Sequence, residues 1–209
     1  MSAQVLVLAK TPVPGRVKTR LCPPCTPREA AGIAAAALAD TLAAVAATPG
    51  VRRRLVVEGD HPAPPGWGRT AQRGTTLGER LENAYADTRI AGAGSLLIGM
   101  DTPQVGAGLL AAAVRRLGED DVDAVFGPAE DGGWWALGLN DPAHGRVLRD
   151  IPTSTSDTGA LTLAALRDRG LRIAELPALR DVDTFVDACA VAVACPAAGR
   201  FPQAVAAAR

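Results

Sequence analysis

The chain has 209 residues, 48% of them hydrophobic, which suffices for a sizeable buried core and argues against a disordered chain. Acidic and basic side chains balance at 22 each, so no global field draws nucleic acid or an anionic membrane, and any affinity for phosphate must be local. Aromatic residues at 3% are too scarce for base-stacking platforms.

Met1–Gln4 lead directly into the apolar run Val5-Leu6-Val7-Leu8, with no basic segment and long apolar core of a secretory leader; the expected compartment is the cytoplasm. The run reads as a buried strand. The segment after it, to Leu21, contains Gly15 and four cations, Lys10, Arg16, Lys18 and Arg20. A loop leaving the first strand of an α/β sheet lies where such folds bind ligands. Lys offers a compact charge and Arg a flat fork of donors, both suited to phosphate oxygens. The loop therefore reads as a cradle for a phosphorylated ligand, with a solvated basic turn as the plain alternative. It is not a Walker loop, because Gly15-Arg16-Val17-Lys18-Thr19 lacks the first glycine and its spacing.

Cys22-Pro23-Pro24-Cys25 has C-x-x-C spacing, but Cys189 and Cys195 form no usual zinc half-site, and the thiols read as incidental. Thr26-Pro27-Arg28-Glu29 is a capping box with proline at the first helical position. It predicts a helix to about Ala47, ended by Pro49-Gly50. The apolar stretch Ala30–Ala39 stops at Asp40, short of a bilayer span. Leu55–Glu58 predicts a second strand and Gly59–Arg69 a loop, whose Trp67 is expected to pack over an edge of the core. Gln72–Leu81 reads as a strand or loop entering a helix that ends near Ile90.

Ser95–Gly99 predicts a central strand. Thr102 is expected to cap a helix with Pro103 at its first position, running to about Leu117. Asp123–Pro128 and Gly133–Leu139 predict two strands, and the antiparallel departure is expected here. A helix from Thr158 to Arg169, a strand Leu171–Leu176, a helix from Thr184 to about Val193 capped by Asp183, and a short last helix complete the chain. Strands alternating with helices indicate an α/β fold: one domain over residues 1–209, a mostly parallel sheet between layers of helices.

Several acids fall at expected strand ends: Asp101, Glu130, Asp131, Asp181 and Asp183. Carboxylates gathered this way hold Mg²⁺ or Mn²⁺, which take oxygen ligands and bridge to substrate phosphates. Each acid has a plainer reading as well. Asp101 could begin a turn before Pro103, Asp183 could only cap a helix, and Asp181 could pair with Arg180. Gly132-Gly133 permits close backbone approach to a ligand, or a tight hairpin. Asp131 before them suits a general base on an acceptor hydroxyl, or a hydrogen-bonding anchor. Ser154-Thr155-Ser156 reads equally as an anion site and as ordinary helix capping. His61 and His144 have no partners at useful spacing. Neither a Gly-x-Ser-x-Gly elbow nor a His-x-x-x-His motif occurs, so hydrolase and zinc-enzyme readings lose support.

Five motifs occur in order: Lys10-x-Pro12-x-Pro14-Gly15-x-x-Lys18-Thr19-Arg20-Leu21, Gln72-x-Gly74-x-x-Leu77-Gly78-Glu79-Arg80-Leu81, Gly99-x-Asp101-x-Pro103, Gly127-Pro128-Ala129-x-Asp131-Gly132-Gly133 and Asp181-Val182-Asp183-Thr184. Together they resemble the DUF2064 family of glycosyltransferase-A-fold proteins, often labelled glycosyltransferases and in part associated with arsenosugar biosynthesis. The resemblance spans nearly the whole chain. It implies a nucleotide-diphospho-sugar-transferase fold and distant kinship with 2-phospho-lactate and molybdenum-cofactor guanylyltransferases. In those enzymes a basic loop after the first strand holds nucleotide phosphates, which matches Lys18 and Arg20. Their metal-binding acids match Asp101, Asp181 and Asp183. Two positions depart from the family pattern: Thr153, where a Trp often precedes the Ser-Thr pair, and Trp134, where a Tyr often follows Asp-Gly-Gly.

The resulting expectation is a Mg²⁺- or Mn²⁺-dependent transferase that uses a nucleotide-activated donor and a small-molecule acceptor, with no nucleic acid or membrane partner. Transfer of a sugar from a nucleotide-sugar comes first. Joining a nucleoside triphosphate to a small phosphate or phosphonate, with release of pyrophosphate, is the alternative that the cation-rich loop favours. A nucleotide-binding protein without turnover is the third reading. The expected catalytic residues are Asp101, Asp131 and Lys18, and the expected metal ligands Asp101, Asp181 and Asp183. Lys10, Gly15, Lys18, Arg20, Gly74, Gly132 and Gly133 are expected to bind the nucleotide.

Overall fold

The structure is a computed structural model that describes residues 2–208. Seven strands form one sheet: β1 (Ser2–Lys10), β2 (Val51–Glu58), β3 (Gly68–Ala71), β4 (Ala93–Gly99), β5 (Ala124–Pro128), β6 (Trp134–Leu139) and β7 (Ile173–Glu175), in the order β3-β2-β1-β4-β6-β5-β7. The β1–β2, β1–β4, β2–β3 and β5–β7 pairs are parallel. β6 runs antiparallel to both β4 and β5, which is the expected departure from a parallel sheet. Because β6 is reversed, its first residues lie beside the carboxyl ends of its neighbours. The expected site residues that follow β1, β4 and β5 and precede β6 thus lie at one edge of the sheet.

Among the described residues are six α-helices, α1 (Pro27–Ala47), α2 (Leu77–Thr88), α3 (Ala107–Leu117), α4 (Thr158–Arg167), α5 (Phe185–Ala194) and α6 (Arg200–Ala207); the first four pack on the sheet, and α5 and α6 pack on the outer face of α1. One face of the sheet buries Val5, Val7, Leu55, Val57, Leu96 and Ile98 against Leu38, Val45, Leu110 and Leu117 of α1 and α3. The other face buries Leu6, Val56, Leu97 and Leu137 against Leu81, Tyr85 and Leu166 of α2 and α4. Tyr85 is fully buried and donates its hydroxyl hydrogen to the Leu137 carbonyl at 2.6 Å, so burial of the ring leaves no polar atom unpaired.

The capping box at Thr26 forms as expected, with Glu29 N–H donating to Thr26 Oγ1 and Pro27 at the first helical position. α1 is 21 residues long, and by length and composition alone it could cross a membrane, although the apolar stretch within it was expected to fall short. Here both of its faces are engaged by protein. Leu38, Leu42 and Val45 pack on the sheet, while Ala30, Ile33 and Ala37 pack on Val191, Phe201 and Val205 of α5 and α6. Its one interior acid, Asp40, accepts from Arg200 and Phe201 N–H and so caps the start of α6. Trp67 packs at the margin of the α1-side core, as expected of a lone tryptophan in that loop.

Two capping assignments are corrected. Thr102 and Pro103 lie in a turn, and α3 begins at Ala107 after Gly106; Thr102 is buried beside β4 instead. Asp183 does not cap α5. Thr184 does, accepting from Asp187 N–H while Asp187 Oδ2 accepts from Thr184 N–H. A run of 3₁₀ turns at Pro142–Asp150, not expected from the sequence, packs along α2.

Candidate active site

The site is assembled from the basic loop after β1, the turn after β4, the β5–β6 hairpin and the segment after β7. The first loop leaves β1 at Lys10, where Thr11 N–H donates to the Glu58 carbonyl at 2.9 Å. Gly15 takes φ +76°, and Lys18 itself is left-handed at φ 49°. A 3₁₀ turn over Thr19–Leu21 follows, and Leu21 is fully buried against α1 and α5. That anchor holds a positive-φ lysine in place and turns its side chain inward. Lys18 is 11% exposed, and its Nζ lies 2.7 Å from Asp101 Oδ1 and 3.9 Å from Asp183 Oδ1. Lys18 Nζ also donates to the Val182 carbonyl. Arg20 lies outside it, 72% exposed, with Nη1 2.9 Å from Asp183 Oδ2.

The segment after β7 is positioned by long-range backbone bonds. Leu179 N–H donates to Pro128 O, Glu130 N–H to Leu179 O, and Val182 N–H to Asp101 O at 2.9 Å. Trp135 Nε1 donates to Pro177 O at 3.0 Å and Gln104 Nε2 to Arg180 O at 2.6 Å. Val182, buried to 1%, faces the core between Asp181 and Asp183, so the two carboxylates that flank it are presented to the sheet edge. Arg180 does not pair with Asp181; its Nε meets Glu130 at 2.8 Å.

In the β5–β6 hairpin, Asp131 Oδ1 accepts from Gly133 N–H at 2.8 Å. Gly132 has φ +90°, and Gly159 N–H at the start of α4 donates to its carbonyl at 2.8 Å. A Cβ on Gly132 would meet the Ser156 backbone, 2.7 Å from its carbonyl carbon. The close approach that this glycine permits is therefore to the chain before α4. Ser154 is left-handed at φ 61°, and the Thr155 and Thr158 hydroxyls bond to each other and to the chain, with Thr158 Oγ1 donating to Pro152 O.

These connections bring one carboxylate oxygen each from Asp131, Asp181 and Asp183 within 4.8 Å of one another. Burial pushes the Asp181 carboxyl up to about 6, with the neighbouring Asp131 and Asp183 carboxylates adding to the rise and Lys18 opposing it. Asp183 is paired with Lys18 and Arg20, which offset only part of the negative charge on the three carboxylates, and the three oxygens form a donor set that fits a hard divalent cation. Asp101 stands apart from this trio and is joined to it through Lys18.

A second charged group lies at the carboxyl ends of β1 and β2. Glu58 Oε2 lies 3.5 Å from Lys10 Nζ and pairs with Arg80 of α2. Burial would raise the Glu58 carboxyl, but the charges of Lys10 and Arg80 and their hydrogen bonds hold it below the usual glutamate range. Neither Glu58 nor Arg80 was singled out from the sequence, although Glu58 ends a predicted strand beside the basic loop. Gly74, at φ +117°, turns the chain from β3 into α2; a Cβ there would sit 2.7 Å from Glu79 Cβ. All four cysteines are free thiols.

Residues 33–155 match the family model described as an uncharacterized protein conserved in bacteria, DUF2064. A protein from Desulfovibrio desulfuricans G20, provisionally named a nucleotide-diphospho-sugar transferase, superposes with a TM-score of 0.79 at 30% identity, over 90% of this chain and 85% of its own. CMP:2-keto-3-deoxy-manno-octonic acid synthetase, solved with CTP, shares the fold at a TM-score of 0.57 and 11% identity, over 93% and 97% of the two chains. Rv0371c of Mycobacterium tuberculosis H37Rv, solved with manganese, shares it at 0.52 and 20% identity, over 91% and 98%. No curated protein matches the sequence.

Proposed function

From the premise that the chain belongs to the DUF2064 family, and has the fold of nucleotide-diphospho-sugar transferases, we propose that it is a divalent-metal-dependent transferase acting on a nucleotide-activated donor. The observation that carries this reading is the approach of Asp131, Asp181 and Asp183 within 4.8 Å beside Lys18. Mg²⁺ or Mn²⁺ held there would neutralise charge on the donor's phosphates and on the leaving group.

The chain's own side chains supply the rest. Arg16 and Arg20, exposed on the first loop, capture phosphate oxygens, with Lys18 as a fixed charge behind them. Asp131 either accepts a proton from the acceptor nucleophile or contributes only a ligand oxygen. Lys10 and Glu58 bound the nucleotide side, with Gly15 and Gly74 shaping the turns that frame it. Asp101 holds Lys18 in place.

Transfer of a sugar from a nucleotide-sugar to a small acceptor is the reading that agrees with the 30%-identical relative's name. Nucleotidyl transfer from a triphosphate is supported by a separate observation: Asp101 stands in Gly99-Met100-Asp101-Thr102-Pro103, without a second Asp two residues on, while the first loop carries four cations. The products separate the two. With Mn²⁺ and a panel of donors, release of a nucleoside diphosphate identifies sugar transfer, and pyrophosphate identifies nucleotidyl transfer. If no donor stabilises the protein or turns over with metal present, the transferase reading fails.

A further inference from the structure

A second basic cluster lies at the opposite end of the sheet. β2 opens with Val51-Arg52-Arg53-Arg54, and β3 pairs with it only from Arg54 onward, through Arg54 opposite Gly68. The notch left where β3 stops short is a cavity of about 250 Å³, lined by Arg52, Arg53, Arg54, Gln4, Gly66 and Gly68 among others. Among the described residues, none of these three guanidiniums lies within 4.0 Å of a carboxylate. Arg54 Nη1 donates to Thr70 Oγ1 at 3.1 Å, and Arg53 Nε is buried with no acceptor at all. A Cβ on Gly68 would lie 2.8 Å from Arg54 Cζ, so the missing side chain is what lets that guanidinium lie against the strand.

We propose that this notch binds a small phosphorylated anion, independently of the carboxylate-bearing edge. Arg52 and Arg54, two residues apart on β2 and so on one face of the sheet with Gln4, present two guanidiniums without counter-ions, a site whose charge an added anion completes; Arg53 lies on the other face. Its volume is below the roughly 300–1,000 Å³ of pockets for drug-sized ligands. That size suits a phosphate or pyrophosphate group. The charge-balanced chain and the small volume do not suit a long polyanion. Arg54 precedes Glu58 by four residues, about 13 Å along the strand, so the notch is a separate place on the molecule.

Inorganic pyrophosphate without divalent metal is the probe, titrated by calorimetry at constant ionic strength. Binding is expected to persist in Lys18→Ala/Arg20→Ala protein and to weaken about tenfold or more in Arg52→Gln/Arg54→Gln protein. In the unaltered chain the Gly66 and Gly68 amide resonances are expected to shift saturably with pyrophosphate and not with chloride. Binding that disappears with Lys18 and Arg20 but survives the Arg52/Arg54 change overturns the proposal. So do unmoved Gly66 and Gly68 resonances, a reading that holds even if the arginine variant fails to fold.

Discussion

Lys18 Nζ lies 2.7 Å from Asp101 Oδ1, and the same ammonium donates to the Val182 carbonyl, so one side chain ties the end of β4 to the segment carrying Asp181 and Asp183. Lys18→Ala removes a mostly buried cation from between two carboxylates and leaves a carbonyl without its donor. The expected cost in stability is about 1–3 kcal/mol, read by urea denaturation. Nucleotide affinity should fall by about tenfold or more, the scale of one lost charge-assisted contact. Affinity equal to that of the unaltered protein would remove Lys18 from the nucleotide site.

Asp181 gives the pH dependence. Its carboxyl titrates at about 6 in the fold, against an ordinary value of 3.8, so the folded protein holds that proton more tightly than the unfolded chain. The metal-free protein should therefore lose stability as pH rises from about 4 through about 6. A divalent cation competes with the same proton. Mn²⁺ affinity should rise over that interval and level off above about pH 7. Asp181→Asn should flatten the stability profile between those limits and weaken Mn²⁺ binding together. A variant that binds Mn²⁺ unchanged would contradict a ligand role for Asp181.

Gly132 offers a test of how the Asp131 carboxylate is held. Its φ of +90° and its contact with the Ser156 backbone both exclude a side chain. Gly132→Ala should cost about 2–4 kcal/mol from strain and overpacking together. Because the hairpin must shift away from α4, metal affinity should fall as well. For Gly133→Ala the nearest contact is the Asp131 side chain, at 3.1 Å, and the change should cost less. Equal melting temperatures for the two variants would show that the hairpin is not braced by α4.

Much of this architecture is legible in local sequence because local chemistry decides it. Thr26, Pro27 and Glu29 set the start of α1 within four residues, and Gly132-Gly133 between two apolar runs marks the one reversed strand. The trio Asp131, Asp181 and Asp183 is less legible. Asp131 meets the other two because Leu179 pairs with the backbone beyond β5 and Val182 with Asp101, contacts across some 50 and 80 residues that no local pattern encodes. Thr102 misleads because a capping residue before proline is a valid helix start in isolation; here the chain spends three more residues crossing the sheet edge before Gly106. Glu58 is legible only once β2 is placed beside β1, which sets it against Lys10.

The two residues that open α5 make opposite predictions. Thr184 closes the capping box with Asp187, whereas Asp183 makes no capping bond and faces Lys18 and Arg20. Thr184→Ala should therefore cost about 1 kcal/mol, the usual worth of such a cap, with little change in metal affinity. Asp183→Asn should cost less than about 1 kcal/mol, because its carboxylate is partly exposed and its ion pairs with Lys18 and Arg20 are screened by solvent. It also relieves the crowding of carboxylates around Asp181, which offsets part of that loss. Its effect should appear in function: Mn²⁺ affinity and metal-dependent nucleotide binding should drop by about tenfold or more, the scale of a lost anionic ligand. The pair is compared by thermal melting and by Mn²⁺ titration of each variant. If Asp183→Asn melts α5 and spares metal binding, while Thr184→Ala does the reverse, the roles assigned to the two residues are exchanged.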